Sequence, residues 1–323
     1  MEVGVKRELE EKVRSGERLT REDGHALHAA DDLAWLGGLA HGVRTRVNGT
    51  AGHFVAGRHI DTPVEDAVAL AGDLADEGLT ELRLTAGVRD GLPWEAYPRA
   101  MRALRDALPG VSLQIFTAGD ILTLETLAGR DASAVLDELI DAGLGALTTG
   151  STGATETGFA ESGDDWPGLS RVHRLAHAKG LLTPAVVGHG PDGVDHLLQL
   201  RALQDETGGF QVLVPLPRPQ GPAVTPLEAL KTFAVARLLL DNVPHLRALW
   251  TAYGLQTAQL ALQHGADDLD GSLTEADLTR DDLVALIRDA GFRPVRRDAR
   301  YGTVQEHEGP DPARREAPQP MRI

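Results

Sequence analysis

His53-Phe54-Val55-Ala56-Gly57-Arg58-His59-Ile60-Asp61-Thr62-Pro63-Val64-Glu65 is the stretch that decides the fold. The apolar run from His53 to Ala56 predicts a short strand, and Gly57 to Pro63 predicts a polar turn. Thr62 as N-cap, Pro63 at the first position and Glu65 three after the cap predict a helix beginning there. A strand that passes through a polar turn into a helix is the repeating unit of an α/β barrel. In such barrels the active-site loops stand at the ends of the strands.

The same unit recurs along the chain. Gly78-Leu79-Thr80-Glu81-Leu82-Arg83-Leu84-Thr85-Ala86-Gly87 is a glycine, an alternating strand and a small-residue turn, and Gly110 to Gly119 repeats it. Further copies run from Gly143 to Gly150, Gly180 to His189, Gly209 to Pro215, Pro244 to Trp250 and Gly265 to Gly271. Amphipathic helices are expected between them, among them 94–108, 133–141, 193–205 and 226–240. Eight strands alternating with helices predict an α/β fold, a TIM-like parallel (β/α) barrel over residues 49–300. Residues 1–48 read as a helical segment packed on it, with Thr20 and Asp23 forming a capping box. A last helix is expected over 280–289, capped at Thr279 with Asp282 three later. The proline-rich, charged tail 301–323 is predicted to be disordered.

Composition excludes several functions. A net charge of −16 over 323 residues, without a basic stripe, argues against nucleic acid as a partner. No apolar run is long enough to span a bilayer and the start is charged, so the expected location is the cytoplasm and no membrane partner is expected. There is no cysteine in the chain, which removes disulfides, thiolate nucleophiles and thiolate-held iron–sulfur clusters.

Several segments, in order, resemble the aminofutalosine synthases, radical S-adenosylmethionine (SAM) enzymes of the futalosine route to menaquinone. They are Gly16-Glu17-Arg18-Leu19-Thr20-Arg21-Glu22-Asp23-Gly24, Asp32-Leu33-Ala34-Trp35-Leu36-Gly37, Arg58-His59-Ile60, Gly91-Leu92-Pro93-Trp94 and Phe116-Thr117-Ala118. The most specific is Val194 to Gln211, and Gly265 to Gly271 and Pro294 to Asp298 complete the series. The resemblance covers residues 16 to about 301 and implies a radical-SAM-type barrel. The same family carries three cysteines, spaced by three and two residues, just after the match to Arg58-His59-Ile60. Here Asp61-Thr62-Pro63 leads straight into the next helix. Other departures fall at strand ends: Thr85 to Asp90 lacks the family's paired glycines and histidine, and Gly119-Asp120 stands where a valine and a glutamate are expected. In the family, three thiolates hold a four-iron cluster and leave one iron for SAM. The turn offers only His59 and Asp61 in their place, so no cofactor is expected and SAM binding has no evident basis.

The remaining candidates are weighed against plainer roles. Arg58 and His59 would bind an anionic group, or else pair with a neighbouring acid and cap a helix. Asp120 and Glu156 suit general acid–base work if burial raises a pKa; otherwise they are solvated loop carboxylates. His189, with His59 or Asp270, is the one metal grouping considered, against a role as a polar plug, and no metal is expected. Thr117, Arg218, Asp267 and Asp270 are candidates for holding a ligand, a ribose hydroxyl or a carboxylate. The expectation that follows is a cluster-free homologue that binds a nucleoside-like or carboxylate ligand, or pairs with a cysteine-bearing homologue. The alternatives are retained transferase activity, or cofactor-independent acid–base chemistry through His59, Asp120 or His189.

Overall fold

The computed structural model describes residues 2–55, 57–74, 79–149, 166–218, 223–270 and 278–310. Three helices come first: α1 (Val3–Ser15), α2 (Arg21–His28) and α3 (Leu33–Asn48). Thr20 accepts from Asp23 N while Asp23 accepts from Thr20 N, which satisfies two of the unpaired amides at the start of α2. The predicted turn then proves to be strand. β1 (Ala51–Val55) is followed by β2 (Gly57–Ile60), leaving only Asp61, Thr62 and Pro63 before α4 (Val64–Leu74).

The alternation continues as β3 (Glu81–Leu84), α5 (Ala96–Ala107), β4 (Ser112–Gln114), α6 (Ala118–Ala128), α7 (Ala132–Ala142) and β5 (Leu144–Ala146). Next come α8 (Trp166–Ala178), β6 (Thr183–Val187), α9 (Asp192–Thr207), β7 (Phe210–Pro215) and α10 (Pro226–Leu239). The last elements are β8 (His245–Leu249), α11 (Trp250–Tyr253), α12 (Leu255–Ala261), β9 (Asp268–Asp270), α13 (Arg280–Asp289), β10 (Arg293–Arg297) and β11 (Thr303–Glu306). Gly208 ends α9 at φ 65° and donates to the Gln204 carbonyl, a left-handed C-cap that a residue with a Cβ would resist.

Parallel pairing runs β2-β3-β4-β5 and β6-β7-β8-β9-β1, and a parallel bridge from Ala146 to Leu182 joins the two runs. The fold is α/β with a mostly parallel sheet, as the sequence predicts, and this strand order is that of a (β/α) barrel. One addition was not foreseen. β10 lies parallel to β1, from Ala51↔Arg293 to Val55↔Arg297, and β11 pairs antiparallel with β10. The predicted disordered tail is therefore corrected at its start: Tyr301 is half-buried in the structure and 303–306 is a strand, held by ladder bonds to β10. Residues 311–323 lie outside the described part.

Strand alternation sorts the side chains. Leu82, Leu84, Leu113, Leu246, Ala248 and Leu269 are buried against the helices. Glu81, Arg83, Gln114, Arg247, Asp268 and Asp270 point the other way, into the barrel, and are buried as well. That second set defines the interior.

Candidate functional site

Three arginines and three acids close a ring inside the barrel. Arg83 donates to Glu81 (2.8 Å) and to Asp270 (2.5 Å), and Arg247 donates to Asp270 (3.2 Å) and Asp268 (2.8 Å). Arg297, from β10, donates twice to Asp268 (3.0 and 2.8 Å) and reaches Glu81 at 3.4 Å, which closes the circuit. Gln114 adds a bond to Glu81 (3.0 Å), and the Tyr301 hydroxyl donates to Asp268 (2.6 Å). Charges alternate around the ring and sum to zero, which is what allows six ionised groups to be buried. The arginines hold the Asp268 and Asp270 carboxyls below their ordinary range against the opposing effect of burial. Tyr301, at φ 61°, plugs the base: its ring stacks on His245 at 3.6 Å and lies under the Arg297 guanidinium at 4.2 Å.

Beside the ring is a small cavity of about 30 Å³, lined in part by Arg83, Gln114, Thr149, Arg247 and Tyr301. It shares Thr148 and Pro184 with a second cavity, of about 40 Å³, whose wall includes Thr117, Trp166, His173 and His196. The Thr148 hydroxyl is buried there without a hydrogen-bond partner among the described residues.

The sequence-predicted residues fall in different places. His59 is half-buried on β2, and burial, with Arg83 beside it, pushes its pKa down to about 4, so it is a neutral imidazole. Arg58, next to it, is also half-buried. Thr117 and Asp120 form the capping box of α6: Asp120 accepts from Thr117 N (2.7 Å) and Oγ1 (2.9 Å), and Thr117 accepts from Asp120 N. Burial raises the Asp120 pKa while these bonds oppose the rise. His189 is fixed at both nitrogens. Because Thr232 spends its hydroxyl proton on the Glu228 carbonyl, it accepts from His189 Nδ1 (2.8 Å), and Tyr253 donates to Nε2 (2.7 Å). Burial lowers its pKa to about 4. Arg218 stands 3.8 Å from Asp192. Glu156 lies outside the described residues.

Two of the candidates for holding a ligand, Asp267 and Asp270, stand elsewhere than at the mouth. Asp270 instead belongs to β9 and to the ion ring, and Asp267 precedes β9 at the opposite, N-terminal end of the barrel. There Asp267 Oδ1 accepts from Arg237 (2.6 Å) and Leu246 N (2.8 Å), while Oδ2 accepts from His245 (2.7 Å) and His53 (3.3 Å). Sequence reasoning missed Glu81, Arg83, Arg247 and the two base histidines. A usable signal was present: these strands alternate charged and apolar residues, and helices cover the apolar face, so the charges had to meet inside.

The donor set at the mouth does not fit a four-iron cluster. Between Ile60 and Val64 there are three residues, none with sulfur, and Asp61 already accepts from Thr85 Oγ1 at 3.2 Å. A buried neutral His59 and one hydrogen-bonded aspartate cannot replace three thiolates.

Over the whole of both chains, this protein is 50% identical to the aminodeoxyfutalosine synthase of Streptomyces coelicolor. The chain belongs to the aminodeoxyfutalosine synthase family. The aminodeoxyfutalosine synthase of Thermus thermophilus is 32% identical over 92% of this chain and 95% of its own length. The model of the CofH/MqnC C-terminal region matches residues 217–309. The match to the Streptomyces coelicolor family member runs over 387 residues against 323 here, so that relative carries stretches this chain lacks. Among solved structures, methylornithine synthase (PylB) superposes with a TM-score of 0.64 at 16% identity, covering 89% of this chain and 97% of that one. The FeFe-hydrogenase maturase HydG from Carboxydothermus hydrogenoformans gives 0.63 at 14% identity, covering 92% and 80%. These likenesses show the α/β, mostly parallel fold. No described helix is long and apolar enough to cross a membrane.

Proposed function

We propose that this chain is a cluster-free member of its family that serves the futalosine route to menaquinone, or a neighbouring step, by binding rather than by radical chemistry. It holds a nucleoside-like or carboxylate ligand at the barrel mouth, or pairs with a cysteine-bearing homologue. One observation carries the reading: the strand that should deliver the cluster loop ends at Ile60, and a three-residue turn without sulfur enters α4. SAM cleavage needs an open iron site on a thiolate-held cluster. Ancestry supplies the barrel, and the mouth lacks the donors.

Acid–base chemistry has weaker support, because Asp120 is engaged as a helix cap and His189 is bonded at both nitrogens. Two assays on the purified protein test the proposal. After anaerobic treatment with iron, sulfide and reductant, incubation with SAM is expected to release no deoxyadenosine; catalytic release would restore the transferase reading. Thermal-shift screening with adenosine, futalosine and chorismate-derived acids is expected to show one stabilising ligand. If none binds and no homologue co-purifies, the binding role fails.

A further inference from the structure

At the base of the barrel, three side chains from the starts of adjacent strands converge on one point. His53 comes from β1, His245 from β8, and Asp267 immediately precedes β9. Their ligand atoms all lie within 4.8 Å of one another, the one such grouping of histidine and acidic side chains among the described residues. Both Nδ1 atoms face the same oxygen, Asp267 Oδ2, at 3.3 and 2.7 Å. Donors bound to one first-row ion at about 2.1 Å stand roughly 3 Å apart from each other, so little movement would be needed to seat an ion between them.

The supporting bonds are those of a built site. Asp267 Oδ1 is held by Arg237 and by Leu246 N, which fixes the carboxylate and leaves Oδ2 to act alone. Stacking on Tyr301 holds the His245 ring flat, and the His53 ring stands edge-on to it at 81°. Two nitrogens and one carboxylate oxygen on a single face form a donor set suited to zinc, cobalt(II) or iron(II) and poorly suited to magnesium. Side-chain exposures of 13% and 14% for the histidines keep a side of the cluster open to solvent, where water would complete the coordination.

We propose that His53, His245 and Asp267 form a binding site for one divalent transition-metal ion at the base of the barrel, opposite the mouth. Binding requires the two Nδ1 lone pairs. Each imidazole proton either moves to Nε2 or is released to solvent.

The test uses untagged, chelator-stripped full-length protein titrated with cobalt(II) and, separately, zinc. One equivalent of cobalt per chain with visible d–d absorption is expected, and competition by zinc. His53→Asn and Asp267→Asn should each weaken binding by tenfold or more, whereas His264→Asn, at a half-buried position outside the cluster, should leave it unchanged. Zinc-edge X-ray absorption of the wild-type complex provides a readout that does not depend on variants folding, and two imidazole nitrogens in the first shell are expected. Failure to take up one equivalent, a first shell without imidazole, or uptake that survives His53→Asn in folded protein would overturn the assignment.

Discussion

The two ends of the barrel differ sharply. At the base and waist, Asp268 alone accepts from Arg247, Arg297 and Tyr301, and every ionised group in the ring has at least two partners. At the mouth, the first strand ends in a three-residue turn whose Asp61 accepts from the Thr85 hydroxyl. Histidines kept neutral by burial stand in both halves: His59 and His189 toward the mouth, His173 and His177 beside the starts of β6 and β7. The difference teaches that the scaffold is maintained by a polar network inside the barrel, separate from the turn at Asp61.

The comparison predicts first that acid weakens both ends through their buried neutral histidines, while the ion ring between them is unaffected. Burial holds His59 and His189 at about 4 and His173 at about 3, below the ordinary value near 6.5. Between these limits the unfolded chain binds more protons, so stability is complete above about pH 6.5 and falls as pH drops. Each histidine costs roughly 2 kcal/mol between pH 7 and pH 5 by this linkage. Urea midpoints across that range should fall steeply, with hydrogen exchange rising first around α8 and the His189 turn. A flat profile would contradict the burial assigned to them.

Asp268→Ala comes next in size. It strands Arg247 and Arg297 in the interior, and breaking a buried pair in this way costs about 3–5 kcal/mol. Chemical denaturation should show it, and a loss under 1 kcal/mol would mean that the ring is not structural. A smaller effect is expected for Thr117→Ala, which removes the α6 cap at about 1 kcal/mol. Asp61→Ala should change stability by less than about 0.5 kcal/mol, as an exposed turn residue. A large loss there would erase the contrast between the two ends.

Much of this was legible in the residues. The glycine–strand–turn repeat gave eight strands and the helices between them, and the Thr20 and Thr279 starts are both true caps. What could not be read was pairing at a distance. Gly57 to Ile60 looks like a turn because its polarity is local, and it becomes strand only through its ladder with β3. Arg293 to Arg297 carries too many cations to suggest a strand, yet Arg297 is fully buried because Asp268 and Glu81 meet it from other strands. Asp267 and Asp270 were singled out for their charge. Without the register of β9, nothing in the sequence placed one at the base and the other in the ring.

The most direct test is spectroscopic. The purified chain is incubated anaerobically with iron-57 and sulfide, desalted, reduced, and measured by Mössbauer and electron paramagnetic resonance spectroscopy. The account predicts no four-iron signal and no stoichiometric sulfide. A reduced-cluster resonance that shifts on adding SAM would show that the mouth seats an iron centre without thiolates, and would contradict the account.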